Sequence, residues 1–204
     1  DGISATRTFT LTTSAVNDAP VLSSVANQTT NEDTAKTVNL SATDIEESSL
    51  TYSATSSSAS DVAVGISGST LTLTPASNFN GTATITAKAN DGTVDSALQT
   101  FTVTVSAVND APVVDTVANQ TTAEDTAKTV TLSETDVDTG DSHTFTATSS
   151  TANVTPSISG ATLTMTPAVN WSGTATITIK ANDGTDDSAA KTFTLTVSAV
   201  NDAP

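Results

Sequence analysis

The sequence predicts an all-β chain made of two tandem immunoglobulin-like Greek-key β-sandwiches, about seven strands each. Three observations predict it. The run Asn17-Asp18-Ala19-Pro20-Val21 recurs as Asn109-Asp110-Ala111-Pro112-Val113 and again as Asn201-Asp202-Ala203-Pro204, each time after 92 residues. That period is longer than the roughly 20–50 residues of a solenoid unit and has the size of a small independent domain. Inside each repeat, apolar residues alternate with polar ones, most of them threonine, and no stretch has helical spacing. Turn residues punctuate these runs at Gly65, Gly68, Asn80-Gly81 and Asp91-Gly92.

The elements follow in order. Phe9, Leu11 and Thr13 fall in the phase of Phe101, Val103 and Val105. Residues 1–16 are therefore expected to be the C-terminal remnant of a preceding repeat, with its last strand over 8–13. The first full repeat, 17–108, reads as seven strands: A after Val21, B over 36–42, C over 50–55, D near 62–66, E over 70–74, F over 82–89 and G over 99–106. Period-two patterns such as Val38/Leu40/Ala42 and Ala83/Ile85/Ala87/Ala89 put one face of each strand in a core. The second repeat and the start of the next linker fill 109–204. Glu124-Asp125, Asp136, Pro167 and Asn182-Asp183-Gly184 keep step with Glu32-Asp33, Asp44, Pro75 and Asn90-Asp91-Gly92. One compensated shift aligns Thr144-Phe145 with Thr51-Tyr52.

Composition narrows the function classes. The chain has 22 acidic and 6 basic residues, a net charge of −16. That balance argues against nucleic acid or an anionic membrane and favours a cationic partner, most simply a metal ion. No apolar run approaches the roughly 20 residues of a membrane span, so membrane insertion is not expected. There is no cysteine, so disulfides, iron–sulfur clusters and thiolate zinc sites are excluded. No nucleophile, base and orienting group recur together, so the chain is not expected to be an enzyme.

The acids are not scattered. In a sandwich with strands running alternately up and down, the B–C and F–G loops share one pole with the incoming linker. Asp44, Glu46 and Asp91 then gather beside Asn17 and Asp18. In the second repeat, Asp136, Asp138 and Asp183 gather beside Asn109 and Asp110. Glu32 lies in the A–B loop, at the pole facing the outgoing linker. Carboxylates so crowded repel one another, and Ca2+ relieves this best: it accepts about 6–8 oxygen ligands with tolerant geometry, whereas Mg2+ demands a strict octahedron. The run Asp136-Val137-Asp138-Thr139-Gly140-Asp141 can aim alternate carboxylates at one centre.

These residues resemble the cadherin repeat, and more closely the cadherin-like tandem repeats in the extender regions of large RTX-type bacterial surface adhesins. Ala42-Thr43-Asp44-Ile45-Glu46 before Leu50-Thr51-Tyr52 is similar to the A-x-D-x-D and L-x-Y patterns of that family. Val105-Ser106-Ala107-Val108-Asn109-Asp110-Ala111-Pro112 is similar to its D-x-N-D-N-x-P linker, and Asn31-Glu32-Asp33 to its early glutamate motif. The resemblance implies Ca2+ held by Glu32, Asn109, Asp110, Asp136, Asp138 and Asp183, with Asn17, Asp18, Asp44, Glu46 and Asp91 forming an incomplete site at the first linker. It also implies an extracellular, cell-surface spacer that supports adhesion or biofilm formation, with neighbouring repeats as its nearest partners. Three departures predict fewer or weaker ions. Ala15, Ala107 and Ala199 replace the first linker aspartate. Asn78-Phe79-Asn80 and Asn170-Trp171-Ser172 replace the D-R-E motif. Glu46 replaces an aspartate.

Two other functions remain open, a carbohydrate-binding module and homophilic adhesion through an exchanged strand. Phe79 and Trp171 share one phase and read as core plugs below the E–F turn, with a sugar platform as the alternative. His143, the lone histidine, is expected to be an exposed residue in a hydrophilic turn.

Overall fold

The computed structural model describes residues 2, 6–14, 16–46, 49–138, 140 and 142–201. The chain divides into two compact units, Asp1–Val108 and Asn109–Pro204. The described residues form strands and turns and no helix, so none is long and apolar enough to cross a membrane.

The first unit contains β1 (Val21–Leu22), β2 (Gln28–Asn31), β3 (Lys36–Asn39), β4 (Ala42–Thr43), β5 (Thr51–Ser56), β6 (Val62–Ser67), β7 (Thr70–Pro75), β8 (Gly81–Asn90) and β9 (Gln99–Ser106). The seven expected strands become nine because A and B each break in two. The first half of A pairs with the second half of B, β1 with β4. The second half of A crosses to the other sheet and pairs in parallel with the last strand, Gln28 opposite Val103 through Asn31 opposite Ser106. The sheets are thus β2-β9-β8-β5 and β3-β7-β6, with β1-β4 beside them. Splitting strand A lets one segment close an edge of both layers, which leaves fewer unpaired backbone groups.

The second unit repeats this with β10 (Val113–Val114), β11 (Gln120–Ala123), β12 (Lys128–Thr131), β13 (Glu134–Thr135), β14 (Thr144–Ser149), β15 (Val154–Ser159), β16 (Thr162–Pro167), β17 (Gly173–Asn182) and β18 (Lys191–Ser198). Its sheets are β11-β18-β17-β14 and β12-β16-β15, with the pair β10-β13.

Each unit has its own core. Leu71, Leu73, Ile85, Phe101 and Val103 centre the first. Leu163, Met165, Ile177, Phe193 and Leu195 centre the second. All lie at the inward phase of the alternating patterns. Phe79 and Trp171 are half-buried and pack against these cores. Each lies over a glycine two residues on. A Cβ on Gly173 would lie 2.8 Å from the Trp171 ring, and φ there is +154°. The same turn is pinned across the unit: Asn170 N–H donates to Asp125 Oδ1 at 3.0 Å, and both residues have left-handed φ. Asn78 and Asp33 repeat the pair at 3.2 Å.

Residues 8–13, expected to carry the last strand of a preceding repeat, pair with neither sheet of the first unit. Residues 6–14 carry no regular structure, and Phe9 and Leu11 are 90% and 78% exposed. Their alternation marks a strand, but a strand needs a pairing edge, and among the described residues none pairs with 6–14.

Candidate functional site

The linker and two loops converge at one pole of each unit, through the same bonds. In the first unit Asn17 Nδ2 donates to Asp91 Oδ2 at 2.8 Å. The Asp18 N–H donates to Glu46 Oε2 at 3.2 Å, and the Glu46 N–H donates to Asp44 Oδ1 at 2.9 Å. In the second unit Asn109 Nδ2 donates to Asp183 Oδ2 at 3.0 Å. Asp110 N–H donates to Asp138 Oδ2 at 2.7 Å, and Asp138 N–H to Asp136 Oδ1 at 2.9 Å. Every expected residue of each pole is therefore brought together. Asp141, Asp202 and Ala15 lie outside the described residues.

Local backbone explains the aim of these carboxylates. The F–G loop folds under Asp91, whose Oδ1 accepts the N–H groups of Thr93 and Val94 at 2.6 and 2.7 Å. Asp183 does the same with Thr185 and Asp186 at 2.6 and 2.7 Å. The N–H of Val94, then the Asn17 amide and the N–H of Thr93, hold the Asp91 carboxyl below its usual range. For Asp183 the Asp186 N–H dominates against burial, helped by Asn109. Both stay negative at neutral pH. Among the described residues, lysine pairs only with Asp95 and Asp187, and no lysine or arginine pairs with a pole carboxylate.

The early glutamates behave differently. Glu32 and Glu124 are buried at the far end of their units, 5% and 7% exposed. Glu32 Oε1 accepts the Val108 N–H at 2.5 Å, and Glu124 Oε1 accepts the Val200 N–H at 2.6 Å. Each glutamate thus holds the chain just before the next Asn-Asp pair.

The donor set fits a hard divalent cation. It is almost wholly oxygen, anionic and pre-aimed. Asn17 and Asn109 have their NH2 groups turned inward on carboxylates, which partly offsets the repulsion. A half-turn of the amide would present Oδ1 to an ion with little other movement.

Two residues escaped the sequence reading. Asp186 brings another carboxylate to Asn109 Nδ2, at 3.2 Å, where the first unit has Val94. Only the 92-residue alignment could have flagged it. His143 is a correction: it is not an exposed turn residue, for its side chain is only 20% exposed and sits between two acids. Its Nδ1 lies 3.1 Å from Glu134 Oε1 and its Nε2 lies 3.0 Å from Asp136 Oδ2. The hydrophilic neighbours suggested solvent, yet the loop folds the ring back onto β13.

The cadherin-like domain family matches residues 16–106 and 108–198. The chain is similar in structure to human protocadherin-24 EC1-2, with TM-score 0.51 and 17% identity over 91% of this chain and 100% of that one. It is similar also to Drosophila N-cadherin EC1-4, with TM-score 0.54 and 16% identity over 91% of this chain and 50% of that one. Mouse cadherin-23 EC22-24 gives TM-score 0.51 and 16% identity over 89% of this chain and 64% of that one. A search of curated proteins finds no match. With two successive matches covering most of its length, the chain belongs to the cadherin-like domain family, as a tandem pair.

Proposed function

We propose that this chain is a length of extender from a bacterial cell-surface adhesin, of the RTX type, in which Ca2+ bound at the linkers stiffens successive repeats into a rod. The rod holds a distal adhesive part away from the cell and so supports adhesion or biofilm formation. Its role is mechanical and not enzymatic. The observation that carries this reading is the recurrence, in both units, of a linker Asn and Asp bonded to the B–C and F–G carboxylates. A surface selected only for solubility has no need to repeat that geometry.

In this reading Asn109, Asp110, Asp136, Asp138 and Asp183 bind Ca2+ together with Glu32. Asn17, Asp18, Asp44, Glu46 and Asp91 make the equivalent set for the first linker. The carbohydrate alternative loses its best support, because Phe79 and Trp171 pack on their cores over a glycine instead of forming a platform. Small-angle scattering tests the proposal, first in excess chelator and then in millimolar calcium. A longer, narrower particle is expected in calcium, and Asp136→Ala with Asp138→Ala should abolish the change. Superimposable curves would sink the stiffened-spacer reading.

A further inference from the structure

The two poles differ at paired positions. Where the first unit has Ala42 on β4 and Leu50 just before β5, the second has Glu134 on β13 and His143 just before β14. An apolar pair has become an acid and an imidazole at the same two places. Asp136 stands between them in sequence, and all three meet in space. One ligand atom from each lies within 4.8 Å of the others. The Asp136 side chain is 3% exposed and that of Glu134 14%. Among the described residues, Glu134 Oε2 is buried with no hydrogen-bond partner.

That orphan oxygen is the informative feature. A buried carboxylate oxygen without a donor is costly, so sites tolerate it when something else supplies the missing charge. We infer that Glu134, Asp136 and His143 form a binding site for a zinc-like divalent cation, separate in chemistry from the all-oxygen calcium set. An imidazole nitrogen is a borderline donor that Ca2+ rarely takes and Zn2+ favours. Tetrahedral Zn2+, with ligands at about 2.0–2.2 Å, spaces its donor atoms by roughly 3.4 Å. Glu134 and Asp136 now face opposite ring nitrogens, at 3.1 and 3.0 Å, so one carboxylate must swing round the imidazole for all three to reach one ion. One ring nitrogen takes the ion, and the other keeps its proton, which sets the tautomer of the ring. Water fills the open position, giving the three protein ligands plus water seen in exchangeable zinc sites. The surrounding negative field raises the local cation concentration.

The competing account is a clasp, with a doubly hydrogen-bonded imidazolium joining two acids and no metal involved. The inference does not rest on the calcium reading, although both use Asp136: it stands on the His143 contacts and the buried Glu134 oxygen. The experiment titrates the untagged chain with Zn2+ by calorimetry and with Co2+ by visible absorption, and titrates Ca2+ in parallel. Wild type should bind one Zn2+ and give the intense d–d bands of low-coordinate cobalt. His143→Leu, which restores the residue of the first repeat, should weaken Zn2+ about tenfold or more while leaving Ca2+ binding nearly unchanged. If His143→Leu fails to fold, His143→Gln serves, and the wild-type cobalt spectrum decides by itself. Undiminished zinc affinity in the variant, no zinc isotherm, or the pale spectrum of hydrated cobalt would each overturn the site. Absent calcium binding with intact zinc binding would remove the calcium reading alone.

Discussion

Glu32 reads in the sequence as a metal ligand, with Glu124 its counterpart in the second repeat, yet each is first a structural acceptor. A buried carboxylate takes the N–H of Val108 or Val200 and fixes where the chain leaves its domain. Replacing Glu124 by Ala strands that N–H, a loss on the order of 1–3 kcal/mol. Chemical denaturation in chelator should show that loss, which a purely metal-binding glutamate would not produce. A second residue-scale expectation concerns Gly173. Its φ of +154° and the Trp171 ring, 2.8 Å from where a Cβ would sit, leave no room for a side chain. Gly173→Ala should cost roughly 1–3 kcal/mol and shift the tryptophan fluorescence. Gly160→Ala faces open space and only the cost of its φ of +57°.

At the level of elements, the acid-bearing loops are tied to the strands that carry them. An isolated bridge pairs Asn90 with Asp95, and another pairs Asn182 with Asp187. Lys88 bonds Asp95 at 2.5 Å, and with Asn90 it holds that carboxyl below its ordinary value of 3.8. Asn182 and then Lys180 do the same for Asp187. A depressed folded-state pKa stabilises the fold above the unfolded value, and that contribution is lost as pH falls through the folded one. The melting-temperature gap between wild type and Asp95→Asn with Asp187→Asn should therefore hold steady near neutrality and close below about pH 3.8. A gap that persists in acid would assign it to packing instead. Most strands were legible because one face is buried: β8 shows the full alternation from Ala83 to Ala89. The breaks in A and B were not legible. They depend on which sheet offers an edge, and β2 is Gln-Thr-Thr-Asn, without an apolar residue to mark it. The poles were legible from strand direction plus the repeat. The His143 contact was not, because a loop's return path is set by tertiary packing and not by local pattern.

For the whole molecule, two cores in two compact units imply two separable unfolding events. Leu163→Ala should cost about 2–5 kcal/mol in the second unit alone, so calorimetry should show one transition moved and the other in place. A single shifted transition would instead mean that the units melt as one. The parallel pairing of β2 with β9 has a further consequence, for load. A pull applied through the two linkers draws the start of β2 backwards and the end of β9 forwards. Because these strands run the same way, their hydrogen bonds from Gln28–Val103 to Asn31–Ser106 are loaded side by side, in shear, and not opened one at a time like a zip. β11 and β18 repeat the arrangement from Gln120–Leu195 to Ala123–Ser198. Each domain therefore carries a tensile clamp between its two points of attachment. Resistance to stretching is then governed by the rate of unfolding and not by equilibrium stability, and such a domain would hold through short bursts of tension that exceed what its lean core alone would withstand.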